Sequence, residues 1–332
     1  MSISGRFLTA YVGMCPDYAQ FLEKVYGLAV DVYREIVRKS KTEIDAGHDV
    51  NHVTKVEELA FRAMVQYANS EIKFDDLMNW VNTYNKRDKL CLLQAGDVLL
   101  RVMVATLFHE VGDSKFADGK LDKTKKQLVF EAIDRILPDY SGNTDEFKTD
   151  IYNMIDYCGA ATWGDRIPEN VRIYQLIPRW SDRLEATGVI GIARTITFSY
   201  SKRKSGYPLC RDEDEFPTSL DELEKMAPES RWLDYSSHNK KSISGFSHYL
   251  DKIVHISGKD VPIPVLRDAL NEGQKIVKQF VVDFTVVNDK RFDIDWLVDE
   301  LSKFKVYTVE IAQLRKLQRE WPLEGCKWIK SN

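Results

Sequence analysis

Residues able to hold a divalent ion recur along this chain in the order His, His-Glu, Asp. The first lies in "AGHDVNHVTKVEELAFRAM", Ala46 to Met64, where His52 follows His48 by four residues at the mouth of an apolar-periodic run. From His52, the residues Val56, Leu59, Ala60 and Ala63 fall at i+4, i+7, i+8 and i+11, which puts the imidazole on the core face of a helix. A buried imidazole needs partners for both ring nitrogens, and a metal ion satisfies one of them; a structural histidine pair is the alternative. The second stretch, "VLLRVMVATLFHEVGDSKF", Val98 to Phe116, reads as a very apolar helix ending in His109, Glu110, Val111, Gly112 and Asp113, a dense set of borderline and hard ligands. In the third, "WSDRLEATGVIGIARTITF", Trp180 to Phe198, Asp182 precedes the packable residues Leu184, Gly188, Ile190 and Ile192. An acid anchored there is costly unless a cation, either Arg183 or a metal, offsets its charge. Together these groups point to metal-assisted activation of water, with a nearby acid such as Asp113 taking the proton.

The elements that must position these groups are helices. Phe21, Val25, Leu28, Val32 and Ile36 are spaced as one face of a helix over Asp17 to Arg38, with Pro16 as its first residue. The same period recurs in Val53 to Met64, Asp97 to Glu110, Gln127 to Leu137, Leu266 to Val282 and Trp296 to Phe304. The most strand-like run, "FVVDFTVV", Phe280 to Val287, equally continues a helix, so the chain is predicted to be all-α. Residues 201–217, "SKRKSGYPLCRDEDEFP", and 235–245, "YSSHNKKSISG", break the rhythm and read as loops.

Composition narrows the function classes. With 47 basic against 51 acidic residues, the chain has no broad electrostatic footprint for extended nucleic acid. Five scattered cysteines without a CxxC pair fit reduced thiols in a cytoplasmic compartment rather than a disulfide framework or a thiolate zinc site. The longest apolar run, Val98 to Phe108, contains Arg101 and falls short of the ~18 residues that span a membrane. The opening "MSISGRFLTAYVGMC" has one arginine and only a brief apolar patch, so no cleaved signal peptide is expected. The tracts "SKRK", Ser201 to Lys204, and "KTKK", Lys123 to Lys126, read as solvated faces, and the tryptophans as core, with Trp180 alone placed to stack on a base.

Taken in order, the blocks resemble those of the HD-domain metal-dependent phosphohydrolase superfamily, whose pattern is H...HD...D on an all-α bundle. The likeness is greatest to the bacterial-type branch that includes nucleoside-triphosphate pyrophosphohydrolases. That branch carries "SHDWEHVxRV", "HDIGDSKF", "DADRLDAIGAIGIAR" and a later "INHFYEKLLKL". The corresponding stretches here are "HDVNHVTKV", "FHEVGDSKF", "SDRLEATGVIGIART" and "GFSHYLDKIVHI", in blocks that cover roughly residues 46 to 256. The resemblance implies that His52, His109 and Asp182 are metal ligands, with Glu110 standing one methylene longer where the family has aspartate. It implies catalytic places for Asp113, His48 and Lys115 and phosphate-binding places for Arg183, His248 and Lys252. It also implies Mn²⁺ or Mg²⁺ as the preferred ion, with Fe, Co or Zn as alternatives, and a small phosphorylated substrate, a nucleotide first among the candidates. Trp180 replaces the first aspartate of the third block, and the distance from His52 to His109 implies an insertion near 69–89. The expected organisation is an N-terminal helical extension (1–44), an HD-like catalytic domain (45–285) and a C-terminal helical extension packed on the same core (286–332). Two other readings stay open: a binding protein on an HD scaffold with altered chemistry, and a di-iron HD-fold oxygenase using His48 and Asp113 as further ligands. Whether the chain forms a homo-oligomer is equally open.

Overall fold

A computed structural model describes residues 16–39, 50–68, 95–112, 123–140, 142–202, 206–211, 214–237, 241–286, 294–304 and 307–320. His48, Asp113, Lys115 and the expected insertion near 69–89 lie outside the described residues. All regular structure among the described residues is helical, so the fold is all-α as the apolar periods predict. The strand-like run from Phe280 is helical as far as Val286. Among the described residues, no helix is long and apolar enough to cross a membrane.

By their internal contacts the described residues form two compact units. The first extends to Asp182 and takes back Asp260–Leu266; the second holds Arg183–Lys259 and resumes at Arg267. The division expected from sequence, 1–44, 45–285 and 286–332, cuts the chain at other places. Those cuts follow the family resemblance, whereas this boundary falls inside a helix, where no local signal marks it.

In the first unit the helices are α1 (Pro16–Lys39), α2 (Val50–Ala68), α3 (Ala95–Phe108), α4 (Lys125–Asp134), α5 (Thr144–Tyr157), the single turn α6 (Ala160–Trp163) and α7 (Ile173–Leu184), whose last two residues belong to the second unit. Helix α3 is the axis of this unit. Leu100, Val102, Met103, Val104, Ala105, Leu107 and Phe108 leave it buried on every side. A helix apolar all round must be surrounded, and α1, α2 and α5 pack against it. Burying one such leucine side chain contributes roughly 2 kcal/mol. α1 starts at Pro16, a residue suited to the first helical position because its missing N–H has no intrahelical partner there. Helix α4 opens with a reciprocal capping box between Thr124 and Gln127, and α5 with an Asn143 cap followed by Asp145 and Glu146.

In the second unit, α8 (Gly188–Lys202) is the buried element, carrying Ile190, Ile192, Ala193 and Ile196 into the core. It is followed by α9 (Leu220–Met226), α10 (Glu229–Ser236), α11 (Gly245–Asp251), α12 (Pro264–Val286, whose first three residues belong to the first unit), α13 (Ile294–Ser302) and α14 (Thr308–Glu320), of which α11, α13 and α14 pack on α8. Gly188 has φ +60° at the start of α8, a conformation that favours glycine. A Cβ added to Gly273 would stand 2.4 Å from the Thr187 hydroxyl oxygen, so α12 approaches the start of α8 more closely than a side chain allows.

Candidate metal centre

The site begins at the C-terminal end of α3, where the last carbonyls of a helix lack intrahelical partners. Here each of three finds one. The Thr106 carbonyl pairs with His109 Nδ1 at 2.7 Å, the Leu107 carbonyl accepts from the Tyr33 hydroxyl at 3.1 Å, and the Phe108 carbonyl accepts from the Val111 amide at 2.9 Å. Because a carbonyl only accepts, His109 Nδ1 must carry the proton in the neutral ring, and its Nε2 is left with a lone pair. Gly112 then takes φ +76°, a conformation that favours glycine. The apolar helix thus delivers His109 and Glu110 in the turn that follows it, both of them buried.

Helix α2 brings His52 to the same point and α7 brings Asp182. His52 Nε2 lies 3.3 Å from His109 Nε2, 3.2 Å from Asp182 Oδ1 and 3.7 Å from Glu110 Oε1. His109 Nε2 lies 3.5 Å from Asp182 Oδ1 and 3.7 Å from Glu110 Oε1. One ligand atom from each of the four residues falls within 4.8 Å of every other. For metal–ligand bonds of about 2.1 Å, neighbouring ligand atoms are about 3.0 to 3.4 Å apart in octahedral or tetrahedral coordination, so four such groups need only close slightly to share one ion. The His52 side chain is 1% exposed and that of Asp182 25%, which leaves the cluster open to solvent on the Asp182 side.

Charge makes the same point. Burial alone would push the Asp182 carboxyl up, but hydrogen bonds from His109 and His52 outweigh it and hold the group well below the usual carboxylate range. Burial alone would push His109 down, and Asp182 together with Glu110 raises it instead. Asp182 and Glu110 therefore favour a proton on His109. A divalent cation answers the same demand with more charge and suits this mixed nitrogen and oxygen donor set.

Of the ten residues expected to act, the four proposed ligands His52, His109, Glu110 and Asp182 are brought together in the first unit. Arg183, His248 and Lys252 belong to the second unit, where they gather around two aromatic rings. The rings of Trp232 and Tyr235 stack at 6.0 Å; Arg183 lies 5.9 Å from the first and Lys252 Nζ 5.9 Å from the second. His248 meets Tyr235 edge-on at 5.6 Å and places Nδ1 3.3 Å from the Ser242 hydroxyl. Trp180 is buried in the core.

Sequence reasoning missed Tyr33 and the Thr106 carbonyl, which fix the end of α3 and the His109 tautomer. Nothing in the residue types announces a backbone acceptor, although His109 falls at i+3 from Thr106, the spacing such a bond requires. It also missed Cys158, a buried thiol pushed up by burial and by the charge of Asp182, with a smaller contribution from Glu110.

No protein-family model matches this chain. It is similar to an uncharacterized protein of Acanthamoeba polyphaga mimivirus, 25% identical over 248 residues that cover 72% of this chain and 88% of the viral one.

Proposed function

We propose that the chain is a cytosolic, divalent-metal-dependent phosphohydrolase of the HD type, acting on a nucleotide or related phosphate ester. The observation that carries this reading is the meeting of His52, His109, Glu110 and Asp182 from three separate stretches of sequence around one ion-sized point. When bound, a divalent ion supplies Lewis acidity toward a phosphoryl oxygen and lowers the pKa of a coordinated water. The two imidazoles give neutral nitrogen donors, and the two carboxylates offset the ion's charge. The Thr106 carbonyl holds His109 in the tautomer that directs Nε2 inward. Solvent exposure at Asp182 gives a substrate phosphate its approach. Mn²⁺ or Mg²⁺ is the ion expected in use, with Fe, Co and Zn as competitors for the same donors.

Metal analysis of the purified chain, followed by a nucleotide hydrolysis screen with Mn²⁺, Mg²⁺ and Co²⁺, tests the proposal. About one ion per chain and metal-dependent release of phosphate or pyrophosphate are expected. Stoichiometric metal without hydrolysis of any phosphate ester would make this a binding protein instead. Glu110→Asp sharpens the test. If the site is built around the longer side chain, withdrawing the carboxylate by about 1 Å lowers turnover by up to ~100-fold. Unchanged turnover and metal content would remove Glu110 from the ligand set.

A further inference from the structure

A run of lysines precedes and opens α4. Cations are disfavoured at a helix N-terminus, where the backbone dipole is positive. The first turn of α4 nonetheless holds Lys125 and Lys126 and no acid, whereas α5 in the same unit opens with Asp145 and Glu146. Three lysines of this region are engaged: Lys123 pairs with Glu131 at 2.7 Å, Lys148 with Asp134 at 2.5 Å, and Lys126 Nζ lies 5.3 Å and 5.4 Å from the rings of Phe130 and Tyr152. Lys125 is half-buried and, among the described residues, has no hydrogen bond, ion pair or ring contact. A local preference broken without visible compensation is the mark of a functional position.

Its place in the fold gives that position meaning. Gly112 follows the ligand pair His109 and Glu110 directly after Val111. A Cβ added to Gly112 would stand 3.0 Å from the α-carbon of Lys125 and 3.1 Å from its Cγ. The start of α4 and the root of the Lys125 side chain therefore lie directly on the turn that carries the ligands, and Gly112 is bare so that they can. The buried Cys158 thiol independently feels Asp182, Lys125, Arg179 and Glu110. Of the two cations, Arg179 is committed to the carbonyls of Gly164 and Arg166.

We propose that Lys125 is a phosphate-binding residue of the metal centre, its side-chain ammonium holding the anionic oxygens of a bound phosphate ester beside the four ligands. A lysine is suited to this as a compact charge on a flexible stem, able to meet phosphate oxygens without the fixed geometry of a guanidinium. The assignment rests on the phosphohydrolase reading and adds a substrate contact that the His, His-Glu, Asp pattern does not contain.

The test is titration of inorganic pyrophosphate into the Mn²⁺-loaded full chain, with Lys125→Gln, Lys125→Arg and Lys126→Gln beside it. Lys125→Gln is expected to weaken pyrophosphate binding about 10- to 100-fold, the loss typical of one charged hydrogen bond, with bound manganese and melting temperature unchanged. Lys125→Arg recovers most of the affinity, and Lys126→Gln, whose ammonium is taken up by two rings, keeps it. Equal affinity of Lys125→Gln and the unaltered chain overturns the assignment while leaving the phosphohydrolase reading intact. Loss of manganese or of fold in both Lys125 variants makes the residue a structural prop and overturns it as well. If the unaltered, metal-loaded chain binds no pyrophosphate and cleaves no phosphate ester, both proposals fall together.

Discussion

Helix α3 carries a buried polar cluster at each end, and the two neutralise their acids differently. Near its start, Arg101 donates to Asp97 at 2.8 Å and to Glu146 and Asp150 at 3.3 Å each, and its guanidinium lies 5.6 Å from the Phe147 ring. Tyr140 donates to Asp97 at 2.8 Å, while Tyr174 and Gln175 reach the two oxygens of Asp150 at 3.0 Å and 2.5 Å. Burial opposes the charge on Arg101, but Asp97 and Asp150 hold it in place. This cluster brings its own cation and closes a helix-to-helix joint between α3 and α5. At the other end, His52, His109, Glu110 and Asp182 meet as two imidazoles and two carboxylates. A third buried acid in the same unit, Glu57 on α2, has an oxygen without a hydrogen-bond partner among the described residues and is pushed up to about 8 by burial. One unit thus shows a carboxylate set matched by arginine, a single acid matched by a proton, and a set that a metal ion would match. What completes a cluster, more than its burial, separates a structural joint from a group able to hold an ion.

The largest effect is expected from breaking the arginine joint. Arg101→Met strands Asp97 and Asp150 and should destabilise the chain by about 3 to 5 kcal/mol, the usual consequence of removing one partner from a buried pair. Denaturant unfolding measures it, and the chain that remains folded should bind metal as before. A loss of metal affinity equal to that of a ligand variant would mean the two ends of α3 are one system.

Glu57→Gln addresses the proton-matched acid. A folded pKa of about 8 against an ordinary value of 4.5 means the folded state keeps a proton that the unfolded chain releases. The contribution is therefore fully present below about pH 4.5, declines as pH rises, and is gone above about 8, so Glu57 costs up to a few kcal/mol at alkaline pH. The glutamine variant should be the more stable of the two at pH 8 and nearly equal at pH 4.5. Parallel stability curves from pH 4.5 to 8 would show that Glu57 is ionised in the folded chain.

His109→Ala probes the set left for a metal. Metal affinity should fall by about 100-fold or more, beyond the 10- to 100-fold typical of an outer partner, while loss of the bond to the Thr106 carbonyl costs roughly 1 to 3 kcal/mol of stability. Because Asp182 and Glu110 raise His109, protons compete with the metal from above the ordinary histidine range, and affinity in the unaltered chain should weaken as pH is lowered through it. Calorimetric titration across pH, with a flat profile as the contrary outcome, decides that point.

The helices were legible because apolar periodicity is local. α1 is predicted over Asp17 to Arg38 and runs from Pro16 to Lys39, and the Val53 to Met64 pattern lies inside α2. The meeting of His52, His109, Glu110 and Asp182 was legible because their order and immediate surroundings survive in the one-dimensional text. The arginine joint was not, since Asp150 lies 49 residues from Arg101 and no pattern joins them. Lys125 was hidden for a different reason: in "KTKK" it looks like its neighbours, and only the bare approach at Gly112 sets it apart. The boundary at Asp182 was invisible because α7 runs through it without a break.

The bond between His109 Nδ1 and the Thr106 carbonyl makes one residue serve as helix cap and as candidate ligand. Fraying of the final turn of α3 releases that carbonyl and frees the ring to rotate, so loss of helix and loss of donor geometry are a single local opening. The adjoining carbonyl, held by Tyr33, ties the same event to α1. An ion held by these donors would then escape at a rate tied to how often this short piece of backbone breathes, a quantity that exchange of the last-turn amide hydrogens records directly.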